Sequence, residues 1–206
     1  MFQPADMRFE SILLPASYFP ISGLVLDPFT GVRGYGEVNT SAGQVLKSHN
    51  HGDHAFLEGV KLVKEEENPF KITTIASFHD EVGGAKRGPN TIHVVEAEGV
   101  RVAHLGDLGH LPGEEIMKVL YGVDILLLPV GGFYTIDAAT AKQVVGLVNP
   151  KTVVPMHYRE GEFGHEPIGT LEDFLELMEG VPVTKLEGNF FDTPIPAGVV
   201  VPKFGK

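Results

Sequence analysis

The sequence predicts an α/β protein in which two β-sheets carry helices on their outer faces. Two observations point there. The first half of the chain is a succession of short apolar runs, many ended by Gly, Pro or Asp, as strands joined by turns are. The second half alternates strand-length and helix-length segments. No internal repeat and no linker-length stretch divides the 206 residues, so one domain over 1–206 is expected.

The elements follow in order. Residues 9–14, 24–27, 44–48, 72–77, 91–97 and 100–105 read as strands. Glu98 and Gly99 form a two-residue link ending in Gly, which suits a hairpin turn between the last two. After Leu105 the character changes. Residues 113–121, 138–148 and 171–179 read as helices, and 124–129 and 152–156 as strands. Thr170 followed by Asp173 is a variant of the capping box that opens a helix. The tail, 182–206, reads as further short strands. Residues 1–6 precede the first apolar run and include Pro4 and Asp6, so they are expected to be a dispensable extension before Met7.

Hydrophobic residues make up 43% of the chain and charged residues 21%, as in ordinary globular proteins. The formal net charge of −11 disfavours binding to phosphate polymers, so no nucleic-acid partner is expected. A small anionic substrate is compatible with that charge, because bound cations reverse the sign locally. The absence of cysteine excludes disulfides, thiolate metal sites and cysteine nucleophiles. The first ten residues carry Asp6, Arg8 and Glu10 rather than the basic start of a signal peptide. The longest uncharged stretch, 11–26, contains Pro15 and Pro20 and is short for a membrane span. The expectation is a soluble cytoplasmic protein without membrane association, and a homo-oligomer is compatible with it.

The dominant chemical signal is Ser48-His49-Asn50-His51-Gly52-Asp53-His54, with three His and one Asp in six positions. On an extended segment His49 and His51 point to the same side and chelate one cation. Gly52 lets the chain turn, so that Asp53 and His54 face a second. On spacing alone, a single cation also satisfies the cluster. Further candidate ligands lie just past strand ends: His79 after 72–77, Asp107 after 100–105 and His157 after 152–156. His93 and His104 fall inside strands and read as packed residues. His165 follows the 161–164 loop, which is placed to border a pocket.

These motifs resemble the metallo-β-lactamase fold hydrolases, and within them the small single-domain branch that includes the ascorbate-phosphate lactonases. Leu26-Asp27-Pro28-Phe29 matches the first motif and Ser48 to His54 the His-x-His-x-Asp-His motif. Phe78-His79-Asp80 matches the third, His104-Leu105-Gly106-Asp107-Leu108-Gly109-His110 the fourth, and Pro155-Met156-His157-Tyr158 the fifth. Pro129-Val130-Gly131-Gly132 with Tyr134-Thr135 is also similar to this branch. Where the branch often carries a Gly-His-Ala turn, this chain has Leu14-Pro15-Ala16-Ser17. The resemblance implies an αββα sandwich of two mixed β-sheets flanked by helices. It assigns His49, His51 and His79 to one metal, Asp53, His54 and His157 to the other, Asp107 as the bridge, and Asp27 as a residue that orients a ligand.

Such a site implies a metal-dependent hydrolase, with a hydroxide activated by two divalent cations attacking an acyl carbon or a phosphorus. A ligand set of N and O atoms suits zinc first, with manganese, iron, cobalt or nickel also accommodated. Asp53 and Asp107 belong to the catalytic centre, and His110 and Tyr134 are the candidate proton donors. Gly131 and Gly132 are candidates to present backbone N–H groups to an anion. The expected substrate is a small anionic ester, a lactone first. The alternatives are a phosphodiesterase or nuclease of the same fold, and a non-catalytic metal-binding or redox module.

Overall fold

The structure, a computed structural model, describes residues 8–12, 16–19, 23–33, 36–64, 68–161, 163–192 and 194–203. The N-terminal extension and Leu14-Pro15 lie outside the described residues. A five-stranded sheet contains β1 (Arg8–Ile12), β2 (Ala16–Phe19), β3 (Leu24–Leu26), β5 (Gln44–Leu46) and β13 (Phe190–Asp192), in the order β13-β1-β2-β3-β5. A seven-stranded sheet contains β7 (Lys71–Phe78), β8 (Pro89–Ala97), β9 (Val100–His104), β10 (Ile125–Pro129), β11 (Thr152–Met156), β12 (Val183–Lys185) and β14 (Gly198–Val201). Its order is β12-β14-β11-β10-β9-β8-β7. Both sheets are mixed. The small pair β4 (Thr40–Ala42) and β6 (Val60–Leu62) lies apart from them.

Strand alternation sorts the core into layers. Leu24 and Leu26 of β3 face Val95, Val102, Ile125, Leu127, Val154, Met156 and Val200, which is the interior between the sheets. The alternate residues Val94, Ala103, Leu126, Leu128, Val153 and Val199 face the other way, onto the helices. The helices are α1 (Glu114–Leu120), α2 (Ala138–Val148) and α3 (Leu171–Leu177), and they bury Leu120, Val144 and Phe174 on that face. All five residues of β10 and all five of β11 are buried, as parallel strands covered on both faces require. Val25 of β3 points out of the sandwich onto Phe29, Val32, Val38, Ala42 and Val60. Among the described residues, that outer face is thus covered by β4, β6 and loops, while the three helices share the face of the larger sheet.

Several expectations hold closely: α2 and β11 have the expected bounds, and Glu98 (φ 51°) and Gly99 (φ 80°) make the left-handed two-residue hairpin turn. The differences have local causes. The strand expected over 44–48 stops at Leu46, because the Ser48 N–H donates to the Asp27 carboxylate instead of to a ladder. The one expected over 24–27 stops at Leu26, where Asp27 turns left-handed at φ 48°. The strands β2, β4 and β6 were not expected. Each is only three or four residues long, too short for a period to show.

The start of α3 is a complete capping box: Thr170 Oγ1 accepts from the Asp173 N–H at 3.3 Å, and Asp173 Oδ2 accepts from the Thr170 N–H at 2.7 Å. Phe174, one turn on, is fully buried. Phe174→Ala is expected to lower unfolding stability by about 3–5 kcal/mol, and Thr170→Ala by about 1 kcal/mol. Urea unfolding of the two variants checks this; an equal effect would mean that α3 is held by its cap rather than by its buried ring.

Candidate metal centre

The topology gathers the chemistry at one edge. Strands β9, β10 and β11 are parallel. Strand β7 is antiparallel to β8, as is β9, so β7 and β9 run the same way. In the other sheet β3 and β5 are parallel. Residues just past the C-terminal ends of these strands supply His79 (after β7), Asp107 (after β9), His157 (after β11), Asp27 (after β3) and the 48–54 segment (after β5). Gly106, at φ 54°, makes the bend before Asp107, and a Cβ there would collide with Ser48 and with Asn90.

Asp107 is the point of convergence. Its carboxylate oxygens lie 3.0 Å from His79 Nε2, 3.2 Å from His54 Nε2, 3.6 Å from His157 Nε2 and 3.8 Å from His49 Nε2. His51 joins the cluster with its ring centroid 4.7 Å from that of His49 and 5.1 Å from that of His79. Asp53 stands 3.9 Å from His54 Nε2. Among the described residues, three sets of ligand atoms are close enough together to hold a cation: His49 with His51 and His79, His54 with Asp107 and His157, and Asp27 with His49 and His54, whose Asp27 oxygens are already taken by Ser48 and His54. These five His and Asp107 are the residues expected from the sequence, and the structure brings them together; Asp53 sits at their edge.

Hydrogen bonds on the far side of three of the rings, His49, His54 and His79, aim the near side. Asp27 is fully buried and accepts from the Ser48 N–H, from Ser48 Oγ at 2.5 Å and from His54 Nδ1 at 3.1 Å. Because the Ser48 hydroxyl gives its one proton to Asp27, its oxygen must accept from His49 Nδ1, 2.8 Å away. His79 Nδ1 lies 3.1 Å from the Tyr134 carbonyl oxygen, which only accepts. All three imidazoles therefore carry a proton on Nδ1 and turn Nε2 toward Asp107. Asn90 completes the frame: its side-chain oxygen accepts from the Asp107 N–H at 3.0 Å, and its amide donates to Leu105 O and Ser77 Oγ. The roles of Ser48 and Asn90 were not read from the sequence, because each acts by hydrogen bonding across strands far apart in the chain.

The electrostatics favour a cation. Burial pushes His49 down to about 4, helped by the charge on His54, and burial also lowers His157. Both are held in the neutral form that binds metal. Burial opposes charge on His54 as well, yet Asp107 and Asp27 on its two sides raise its pKa well above the usual histidine range, so a cation bound at Nε2 would displace the proton held there. Burial would raise Asp107, but the charge on His54 and the bonds from His54 and His79 keep it well below the carboxylate range. The Nε2 of His49 is buried without a hydrogen-bond partner among the described residues. A buried acceptor of this kind, beside ionised carboxylates and neutral imidazoles, fits a divalent ion.

A cavity of about 260 Å³ opens over the cluster, lined by His51, Asp53, His79, Asp107 and His157 and by Lys86, Arg87, Tyr134 and His165. Tyr134 and His165 thus line the same cavity as the ligand cluster. His110 is not brought to it. Its Nε2 accepts from the Phe78 N–H at 3.3 Å, its Nδ1 lies 3.1 Å from the Leu111 carbonyl oxygen, and one neutral tautomer satisfies both. The two glycines also serve another purpose than expected: the Gly132 N–H donates to Ile136 O at 3.1 Å, and Gly131 leaves room for the His157 carbonyl.

Asp80 is the residue whose role the sequence concealed. It is buried beside His79 and accepts the N–H groups of Val82 (2.9 Å), Gly84 (2.8 Å), Lys86 (2.9 Å) and Arg87 (2.7 Å), so that one carboxylate folds the whole loop. Burial alone would raise its pKa; the donors, Arg87 first, outweigh that and bring it down to about 2 from 3.8. A depressed carboxylate contributes stability above its unfolded pKa and loses it as pH falls through the folded value. Amide protection at Val82, Gly84, Lys86 and Arg87 is therefore expected to be full above about pH 4 and to fade toward pH 2. In Asp80→Asn it is expected to be lost at pH 7. Hydrogen exchange read by NMR decides, and unchanged protection in the variant would remove Asp80 from this role.

Comparison with known proteins agrees with the geometry. Residues 22–157 match the Beta-lactamase superfamily domain family. A UPF0173 metal-dependent hydrolase from Staphylothermus marinus is 30% identical over 176 residues, covering 72% of this chain and 75% of its own. A Thermotoga maritima structure assigned as a Zn-dependent hydrolase of the metallo-beta-lactamase superfamily superposes with a TM-score of 0.74 at 30% identity, over 95% of this chain and 98% of that one. An isothiocyanate hydrolase from Delia radicum gut bacteria, 12% identical with a TM-score of 0.63 over 97% of each chain, shares the fold alone. Both the site and these relatives lead to one conclusion: the chain belongs to the metallo-beta-lactamase superfamily, within which it is a metal-dependent hydrolase of the UPF0173 family.

Proposed function

We propose that the protein hydrolyses a small anionic ester, a lactone first, at a pair of divalent cations. The observation that carries this reading is the Asp107 carboxylate, buried within 3.8 Å of four imidazole Nε2 atoms beneath a cavity of about 260 Å³. His49, His51 and His79 would hold one cation, and Asp53, His54 and His157 the other, with Asp107 shared between them. Zinc is our first choice, because the donors are N and O atoms without thiolate. Two cations bound there supply an acidified water and a polarised substrate oxygen.

The chain's own groups do the rest. Asp53, partly exposed on the cavity wall, accepts the proton of the attacking water as its oxygen bonds to the acyl carbon. The acyl C–O bond then breaks, Tyr134, which lines the same cavity, gives its hydroxyl proton to the leaving oxygen, and the proton taken up by Asp53 passes back to the Tyr134 oxygen through solvent, restoring both groups. Of the two candidate donors, Tyr134 is retained because it faces the cavity and His110 does not. A nuclease is the less favoured reading. The cavity is small, and two of the basic side chains are neutralised locally, Lys86 by Glu81 and Lys151 by Asp124.

The test is a screen of purified protein against lactones, phosphodiesters, phosphotriesters and single-stranded RNA, with metal measured in the same sample. About two equivalents of metal and turnover of lactones are expected. Asp107→Asn should lose more activity than Tyr134→Phe, for which about 10²–10⁴-fold is expected, and His110→Ala should change little. Consistently one metal equivalent would defeat the two-cation reading. Degradation of RNA, abolished in His51→Ala, would promote the nuclease.

A further inference from the structure

The cavity lining includes two cationic side chains that the reaction above does not use. They are Lys86 and Arg87, both on the loop folded around Asp80. The two cations are not equivalent. Lys86 Nζ pairs with Glu81, and both side chains are more than half exposed. Arg87 has no carboxylate partner among the described residues. One of its amino groups, Nη2, donates to the Phe133 carbonyl oxygen at 2.7 Å, and its guanidinium lies 5.6 Å from the centre of the Tyr134 ring. A guanidinium has five N–H donors in a rigid plane, so the donors this bond leaves are held in a set orientation on the cavity wall.

We propose that Arg87 recognises an anionic group carried by the substrate at a distance from the scissile bond. The proposal deepens the reading of a small anionic ester and rests on it. The chemistry is that of a carboxylate or a phosphate, the planar or multi-oxygen acceptors that a fixed guanidinium pairs with through two bonds. Asp80 is the positioning residue. The carboxylate that receives the Arg87 N–H belongs to the neighbour of His79, so the ligand cluster and the anion site share one stretch of backbone. The distance between the reacting group and the anionic group of a bound substrate is thereby set. The loop sequence supplies the freedom it needs: Gly83, Gly84 and Gly88 all adopt positive φ, at 69°, 84° and 91°.

The experiment measures binding instead of turnover. The metal-loaded protein is titrated with acetohydroxamate, which has no tail, with succinic monohydroxamate, whose tail is a carboxylate, and with 3-phosphonopropionohydroxamate. At least one tailed probe is expected to bind the natural protein roughly ten- to hundred-fold more tightly than acetohydroxamate, as charge-assisted bonds to an anion give. The tighter of the two names the anion. In Arg87→Gln that ratio should fall below about three-fold, and Arg87→Lys should restore part of it as a point charge. Melting temperature and metal content report whether each variant is intact. If Arg87→Gln weakens all three probes alike, or if no tail gains affinity in the natural protein, Arg87 only ties two loops together and the proposal is overturned. A tail-dependent gain that vanishes in Arg87→Gln, in a protein that turns over no ester, would uphold the anion site while refuting the ester reading.

Discussion

Two carboxylates, Asp27 and Asp107, sit almost wholly out of solvent where the two sheets meet, and the site is organised by the need to compensate them. An ionised carboxylate withdrawn from water is tolerated only where hydrogen bonds and positive charge replace its hydration. Asp27 receives the Ser48 N–H, the Ser48 hydroxyl and His54 Nδ1. Asp107 receives imidazoles delivered by several separate segments of the chain. His54 lies between the two carboxylates and touches both. Removing Asp107 would therefore leave imidazoles from both sheets without their partner, and removing Asp27 would strand the Ser48 and His54 groups beside it.

The same constraint accounts for the strained backbone. Three of the five described non-glycine residues with positive φ lie beside the centre: Asp27 at 48°, His157 at 51° and Phe133 at 60°. Each begins the segment that leaves a strand or turn toward the cavity. A left-handed residue reverses the chain direction within one step, so a side chain that would continue outward is aimed over the sheet edge instead. Glycines serve where even the backbone needs room. Gly109 packs against the main chain of His79 and Asp80, where a Cβ has no space. Close backbone contact at this edge is what lets short side chains such as Asp107 reach their partners.

Charge separates the site from the remainder of the molecule. The chain carries a net charge of −11, and its exposed ion pairs, such as Lys71 with Glu96 and Lys118 with Glu115, contribute little. Inside the cavity the balance differs, with Lys86 and Arg87 lining it together with the ligand cluster. The acidic surface is felt by anything extended, whereas a small molecule inside the cavity responds to the groups within a few ångströms.

The sequence by itself determined the fold class, most of the strand and helix positions, and the metal-compatible side chains. These are legible because hydrophobic period is a local property, and because three histidines and an aspartate within six positions have few other physical uses. It did not determine β2, β4 and β6, whose strands are too short to show a period. Nor did it separate Tyr134 from His110 as residues facing the cavity. Both follow site-forming segments, and only the packed structure shows that both nitrogens of His110 are taken by backbone groups. Asp80 is the clearest case. In the chain it is one more acidic residue after a histidine; in the fold it holds the loop that carries Lys86 and Arg87 to the site. The residue types that bind metal are written locally, but which group faces the cavity, which aims a ligand and which carries a loop is decided by contacts between distant segments, and those exist only once the sheets have packed.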